Sequence, residues 1–444
     1  MSGNFIFGVY MYASLLVTIV FAVILKKLYK FSNVALWGSG AHPIGLFYII
    51  QIFIFSMPGV LMISFMGVQS IRYDGISGPK LLEIGGWYFY ALMIMSFVLC
   101  VSFRIFNISS YNTAIRNINK FYVNNYWSGA VVLIWFCLIC TLIQFFLFEK
   151  PSVYYLFKGD ALVAYQSRVD MQTNPSKYYP PFIRTFLVFI NIYQSYITLF
   201  IYKGLVNRSK KHGIYLLVSI VIAIYHSFYE TQKAPFIMLI MGLIFIMQLY
   251  TKSTKNTIGY IAFLFVISIL TTSVIMDLDI NSAIEGVFDR VLLGQNQGFY
   301  HIINVISPNE KYLFQDFYFA ESLGIKVARA DIDVLPYIYG DRDDVVNVNS
   351  FFLGQAWSMF GLLGLIMSPF IVGIVIAMII KIIDVLISYD RVIFVPFMIY
   401  MIPSLSVNQS FTQFLYGKYF IINFVYVILV FVLFKLCISL NKGN

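Results

Sequence analysis

Long apolar stretches alternate with polar connections along this chain, and their lengths are those of helices that cross a bilayer. Eleven apolar runs fall at 5–25, 45–66, 86–103, 128–148, 181–202, 214–230, 235–251, 258–276, 357–380, 392–407 and 420–437. An α-helix needs about 20 apolar residues to span hydrocarbon, so the pattern predicts an all-α polytopic membrane protein with about eleven transmembrane helices. The chain then divides into a transmembrane bundle of eight helices over 1–276, a large polar loop over 277–356, and three closing helices with a polar C-terminus over 357–444. The runs 214–230 and 235–251 are each only about 17 residues, joined by the turn Tyr229-Glu230-Thr231-Gln232-Lys233-Ala234-Pro235. Short helices draw such a turn to the membrane surface or below it. There Glu230 and Lys233 are costly unless they face a wet cavity; the plain alternative is an interfacial ion pair whose lysine snorkels outward.

Composition agrees with lipid as the solvent. Hydrophobic residues make up 60%, charged residues 11%, and mean hydropathy is +0.81, whereas soluble domains carry about 25% charged residues. The net charge of +10 raises the question of nucleic acid, and its distribution answers it. Every second connection is short and basic: Lys26, Lys27 and Lys30; Arg104, Arg116 and Lys120; Lys203, Arg208, Lys210 and Lys211; Lys252 and Lys255; Lys381 and Arg391; Lys435 and Lys442. These segments hold 16 of the 30 basic residues and only two of the 20 acids, Asp384 and Asp390, a balance of +14 that leaves −4 elsewhere. Positive charge concentrates on the cytoplasmic side, so the charge reports topology and no nucleic-acid partner is expected. The N-terminus is expected outside and the C-terminus in the cytoplasm. The first run lacks a basic leader and is followed by its positive cluster, which is an N-out span and not a cleavable signal peptide. No internal repeat of the kind built into paired transporter halves is visible. Cys100, Cys137, Cys140 and Cys437 all lie in apolar runs and suggest neither a disulfide framework nor a metal site.

Polar chemistry concentrates in two outer loops. The first, about 149–184, supplies Tyr165, Arg168, Lys177 and Arg184; interfacial anchoring is their plain reading. The second, 277–356, contains 12 of the 20 acids, and loops of such length carry function or secondary structure of their own. Within it SAIEGVFDRVLLGQNQGFYHIINVI reads as amphipathic helix, with a break between Gly294 and Gly298. Glu285, Asp289 and Arg290 share one turn and His301 follows three turns on. That set suits an anion-binding arginine beside a proton acceptor, or, more plainly, a solvated face with a local charge pair. His42, His212 and His226 are expected to be structural. No HExxH, phosphate-binding loop, GxGxxG or GxSxG falls at a usable position, so no metal, cofactor or nucleotide-driven step is expected.

The layout resembles the bacterial O-antigen polymerases, the Wzy-type family that joins oligosaccharide repeat units. Three stretches carry the likeness: the short turn SFYETQKAPFIMLI, with Lys233 where the family often has arginine; the arginine followed by spaced glycines in RVLLGQNQGFY; and the membrane re-entry NVNSFFLGQAWSMFGLLGLIMSPFIVG. The resemblance implies a GT-C-like bundle with a large helical periplasmic loop in the bacterial inner membrane. It implies a membrane-embedded glycosyltransferase without cofactor, which moves a growing glycan from one undecaprenyl pyrophosphate carrier onto the next lipid-linked repeat unit. The product is O-antigen or capsular polysaccharide, and a flippase and a chain-length regulator are the implied partners. Such chemistry needs cations where pyrophosphate leaves and a base near the attacking hydroxyl. Arg290, Lys233, Arg168 and Arg184 are the expected pyrophosphate contacts. His301, Asp289 and Glu230 are the candidate bases, and Tyr165, Tyr300 and Tyr337 the candidates for stacking on sugars. Two other readings share parts of the layout. One is an O-antigen ligase. The other is a polysaccharide flippase or secondary transporter, against which stand the long outer loop and the scarcity of mid-span charge.

Overall fold

In hydrocarbon every backbone N–H and C=O must be satisfied within the protein, which leaves helices as the solution for apolar runs of this length. The computed structural model describes residues 2–37, 41–108, 123–180, 183–231, 233–251, 266, 269–270, 273, 278–315, 317, 320, 323–325, 327–340, 348–408 and 410–442, and among them every regular element is helical. The long elements are α1 (Ser2–Tyr29), α2 (Ile44–Phe65), α3 (Gly78–Ile105), α4 (Trp127–Leu147), α7 (Arg184–Gly204), α8 (Lys210–Phe228), α9 (Lys233–Thr251), α14 (Phe351–Tyr389), α15 (Arg391–Ser404) and α17 (Lys418–Lys442). Shorter elements are α5 (Ser152–Phe157), α6 (Ala161–Thr173), α10 (Ile280–Phe288), α11 (Gln297–Val305), α12 (Ala330–Asp333), α13 (Leu335–Tyr339) and α16 (Phe411–Tyr416).

Among the described residues eight helices are long and apolar enough to cross a membrane. They account for eight of the eleven expected crossings. The runs 235–251 and 392–407 fall on α9 and α15, whose apolar stretches are shorter. The run 258–276 lies almost wholly outside the described residues. One boundary is corrected: α8 is 19 residues rather than 17, because Ser209 caps it and draws Lys210 and Lys211 into its first turn. The His212 ring closes that cap by accepting from the Ser209 amide at 3.0 Å.

Burial sorts the spans into centre and rim. In α2 and α7, 78% of the spanning window is buried, against 22% in α1 and α17 and 28% in α4. Central helices make room for one another with irregular backbone. Two π-helical stretches, Tyr48–Ile54 and Leu61–Phe65, flank a break at Ser56 in α2, with Pro58 starting the next turn. Gly361 in α14 adopts φ 59°, ψ −139° and divides that 39-residue helix. Unbroken, it would extend about 58 Å, nearly twice the hydrocarbon thickness of about 30 Å. The break separates a buried stretch before Gly361 from a spanning stretch that exposes Leu362, Leu363, Met367 and Met378.

Contacts between connections define two ends of the bundle. At one end Asp390 caps α15 through the Val392 and Ile393 amides, at 3.1 and 3.2 Å. It is paired there with Lys435 at 2.9 Å, which explains how a buried acid persists among basic connections. At the other end the connection 66–77 meets 278–305, Glu149 N–H donates to the Lys177 carbonyl, and Ser152 bonds Thr231 at 2.8 Å. The 277–356 segment is more embedded than a solvated loop. The helix α10, capped by Asp279, runs through a π-helical turn Asp289–Gly294 to α11, with the interruption at 295–296 inside the expected window. Residues Gln297 to Ile303 of α11 are buried. Gly59 of α2 permits this docking: a Cβ there would lie 1.6 Å from the Leu292 carbonyl oxygen. The neighbouring Asn296 fills the α2 break, donating to the Ser56 carbonyl at 3.1 Å.

Candidate functional site

Two polar clusters form at the second end, and one arginine lies within the field of both. The first is built on Arg72, in the connection between α2 and α3. Its Nε donates to both carboxylate oxygens of Asp289, at 3.1 and 2.8 Å, and its Nη2 completes a bidentate ion pair. The Nη1 group donates to Gln297 Oε1 at 3.1 Å. From below, Gln297 Nε2 and His301 Nε2 both donate to the Arg72 carbonyl, at 3.1 and 2.9 Å. That bond assigns the proton of neutral His301 to Nε2 and leaves Nδ1 as its basic nitrogen. Burial pushes His301 below the ordinary imidazole value, and the bond to the Arg72 carbonyl opposes this. The Asp289 contact raises Arg72.

The second cluster joins the start of α7 to the end of α8. Arg184 donates through Nε and Nη2 to Glu230 Oε1, at 3.0 and 2.7 Å, and the Tyr179 hydroxyl donates to the same oxygen at 2.8 Å. Glu230 is 12% exposed and Arg184 34%. A satellite core of Met171, Tyr178, Tyr179, Leu187 and Tyr229 holds the first loop against α8. Thr231 turns the chain after Glu230 with φ 52°. Beside the pair a cavity of about 290 Å³ runs inward, lined by His226, Pro235, Tyr400, Tyr419 and Asn423 among others. His226 is satisfied by Thr141 at 2.9 Å, as an interior structural imidazole would be.

Arg168, on α6, lies between these clusters. Burial holds its guanidinium below the usual arginine value; the positive charge of Arg290 adds to that, while Tyr165 and Glu230 oppose it. Neither Arg168 nor Arg290 has a carboxylate within ion-pair distance among the described residues. Like charges repel, and an anion bound by both arginines removes that repulsion and gains charge-assisted hydrogen bonds.

The sequence-predicted residues therefore separate into groups. Arg168, Arg184, Glu230, Asp289, Arg290 and His301 meet at one end of the bundle. Asp289 does not form a local pair within α10; Arg72 engages its carboxylate instead, which makes it a positioning group. Tyr300 is fully buried, its hydroxyl 2.6 Å from Ser64 Oγ and its ring edge-on to Tyr73, so it offers no face to a sugar. Tyr165 is 45% exposed and Tyr337 63%. Tyr337 stands on α13, where the Tyr339 hydroxyl reaches Gln297 at 3.4 Å. Lys233 opens α9, and its side chain lies outside the described residues. Sequence reasoning missed Arg72 and Tyr179. The signal available for Arg72 was an arginine in the short connection between the second and third apolar runs. No family model matches the chain, and neither the curated proteins nor the solved structures contain a match.

Proposed function

We propose that this chain is a membrane-embedded glycosyltransferase that polymerises oligosaccharide repeat units carried on polyprenyl pyrophosphate, at the non-cytoplasmic face of a bacterial inner membrane. The observation that carries the reading is that Arg168 and Arg290 act on each other as like charges at one end of the bundle, while neither has a carboxylate within ion-pair distance among the described residues. The leaving group in such a reaction is a lipid pyrophosphate. As the glycosidic bond to that phosphate breaks and a new bond forms to the acceptor hydroxyl, negative charge grows on the phosphate oxygens. Preorganised guanidinium groups stabilise that charge. Lys233, at the head of α9, is placed in sequence to add a third cation.

The acceptor hydroxyl must also lose a proton. Of the three candidate acceptors, Asp289 and Glu230 are each held by an arginine and His301 is buried, so the cavity beside Glu230 decides between them. Glu230 lines an open cavity, where Arg184 and Tyr179 hold its carboxylate in place. Glu230 is accordingly the assigned acceptor, with Arg184 and Tyr179 orienting it. Tyr165 and Tyr337 are exposed and are the rings offered for stacking on sugars. The charge asymmetry of the connections supports the orientation, because the site lies at the end opposite the basic ones.

The reading is tested by deleting the gene and resolving surface glycans by electrophoresis. A polymerase null retains a single repeat unit on its acceptor. Loss of every repeat unit points to a ligase or flippase and defeats the proposal.

A further inference from the structure

The hairpin formed by α5 and α6 carries Arg168 on one side and a second, unrelated surface at its tip. There Phe157, closing α5, is 86% exposed, and Leu162, opening α6, is 70% exposed. Tyr165 follows Leu162 by one helical turn and is also exposed. Large apolar side chains set out in water forfeit the gain of burial, so a pair of them at a tip calls for a cover. One lysine stands at the tip and one at the base of the hairpin: Lys158 Nζ lies 4.6 Å from the centre of the Tyr154 ring, and Lys150 Nζ 3.9 Å from that of Phe145 at the end of α4.

The neighbouring surface identifies the cover. The last turn of α4 exposes Phe146 at 71% and Leu147 at 75%, as a span facing lipid does. Tyr154 of α5 packs directly on Phe145 of that turn, with ring centroids 6.3 Å apart. The hairpin thus continues the lipid-facing surface of α4 at the point where the span ends. Tyrosines, lysines and an apolar tip at the end of a span are the composition of the headgroup layer.

We propose that the α5–α6 hairpin is an interfacial element. Phe157 and Leu162 insert at the headgroup–acyl boundary of the bilayer that α4 spans, Lys150 and Lys158 lie against lipid phosphates, and the membrane thereby sets the height of Arg168. This surface and its test are independent of the chemistry proposed for the site.

The test is made on the full chain with Cys100, Cys137, Cys140 and Cys437 replaced by alanine, Phe157→Cys spin-labelled, in phosphatidylcholine–phosphatidylglycerol nanodiscs. Power saturation compares collision with oxygen, which concentrates in lipid, and with a water-soluble nickel chelate. At an insertion depth of about 5–10 Å oxygen collisions should exceed nickel collisions several-fold. A label at lipid-facing Ile139, on α4, should behave likewise, and one at exposed Glu310 should show the reverse ratio. Nickel-dominated collisions at 157 mean that the tip stands in water, and protection from both reagents means that protein covers it. Either result overturns the proposal. If the cysteine-free chain does not fold, Phe157→Trp in the native-cysteine chain replaces it. Vesicles of dibrominated lipid should then quench more emission than from the unsubstituted chain, and equal quenching overturns the proposal.

Discussion

Arg290→Ala distinguishes an arginine held for a ligand from one held for the fold. Arg290 is exposed and makes no ion pair among the described residues, so truncation breaks none there. It also removes a like charge that acts on Arg168. Folding stability should therefore stay within about 0.5 kcal/mol of the unsubstituted chain, with any change directed upward. The effect on a bound pyrophosphate is of another size. A guanidinium donating to phosphate oxygens contributes about 1.5–3 kcal/mol through charge-assisted hydrogen bonds, and its loss weakens binding roughly 10- to 150-fold. The assay has two arms: calorimetric titration of inorganic pyrophosphate into the protein in nanodiscs, and glycan length in cells whose only copy carries the substitution. The expected result is an unchanged melting temperature, weaker pyrophosphate binding and loss of long chains. A variant that loses long chains only because its melting temperature falls by many degrees would refute the reasoning. So would one that keeps both its pyrophosphate affinity and its long chains.

Arg184→Ala should show the opposite signature, because it removes both guanidinium donors from Glu230, which is 12% exposed. A fully buried pair costs about 3–5 kcal/mol when broken, and the 34% exposure of Arg184 reduces this to about 2–3 kcal/mol, measurable as a lowered melting temperature that Arg184→Lys partly restores. Stability should also depend on His301: its folded value lies below the ordinary 6.5, so the unfolded chain takes up the proton more readily, and stability is full above about pH 6.5 and declines on acidification. His301→Gln retains a donor for the Arg72 carbonyl, and melting curves from about pH 7.5 to 5.5 should flatten in that variant; an unchanged slope rejects this source of the pH dependence. Gly59→Ala drives a methyl group into the Leu292 carbonyl, and a loss of about 1–3 kcal/mol or more is expected, with protease cleavage appearing in 278–305. Resistance to cleavage equal to that of the parent contradicts the docking of that segment on α2.

Much of the scaffold was legible because the bilayer imposes it. Apolar runs of span length must become helices whatever their detailed order, and eight of them did so at spanning length. The helical reading of 282–306 also survived, with its interruption at 295–296. What the sequence did not reveal was depth. The amphipathic pattern of that segment suggests one wet face, yet Gln297 to Ile303 of α11 are buried against α14, and α2 breaks at Ser56 and presents Gly59 to the preceding turn at Leu292. Nothing in a continuous apolar run marks such a break except the isolated Ser56 and Pro58. Arg72 was missed for a related reason. Its role exists only where residues 217 positions apart come together, and spacing rules see neighbours within a turn or two. They pointed to a charge pair inside α10, whereas Asp289 is held from outside it. Tyr300 shows the same limit, since an aromatic residue in a polar loop reads as available until the packing over it is known.

The central claim, that Arg168 and Arg290 serve transfer from a lipid pyrophosphate, is tested most directly by the products of the gene deletion and of its complementation. Cells lacking the gene should carry surface acceptors bearing one repeat unit and accumulate single-unit lipid pyrophosphate. Long chains should return with the unsubstituted gene and fail to return with the Arg168→Ala, Arg290→Ala double variant made at equal abundance. Long chains restored by the double variant, or a deletion strain whose chains are unchanged or missing altogether, would contradict the account.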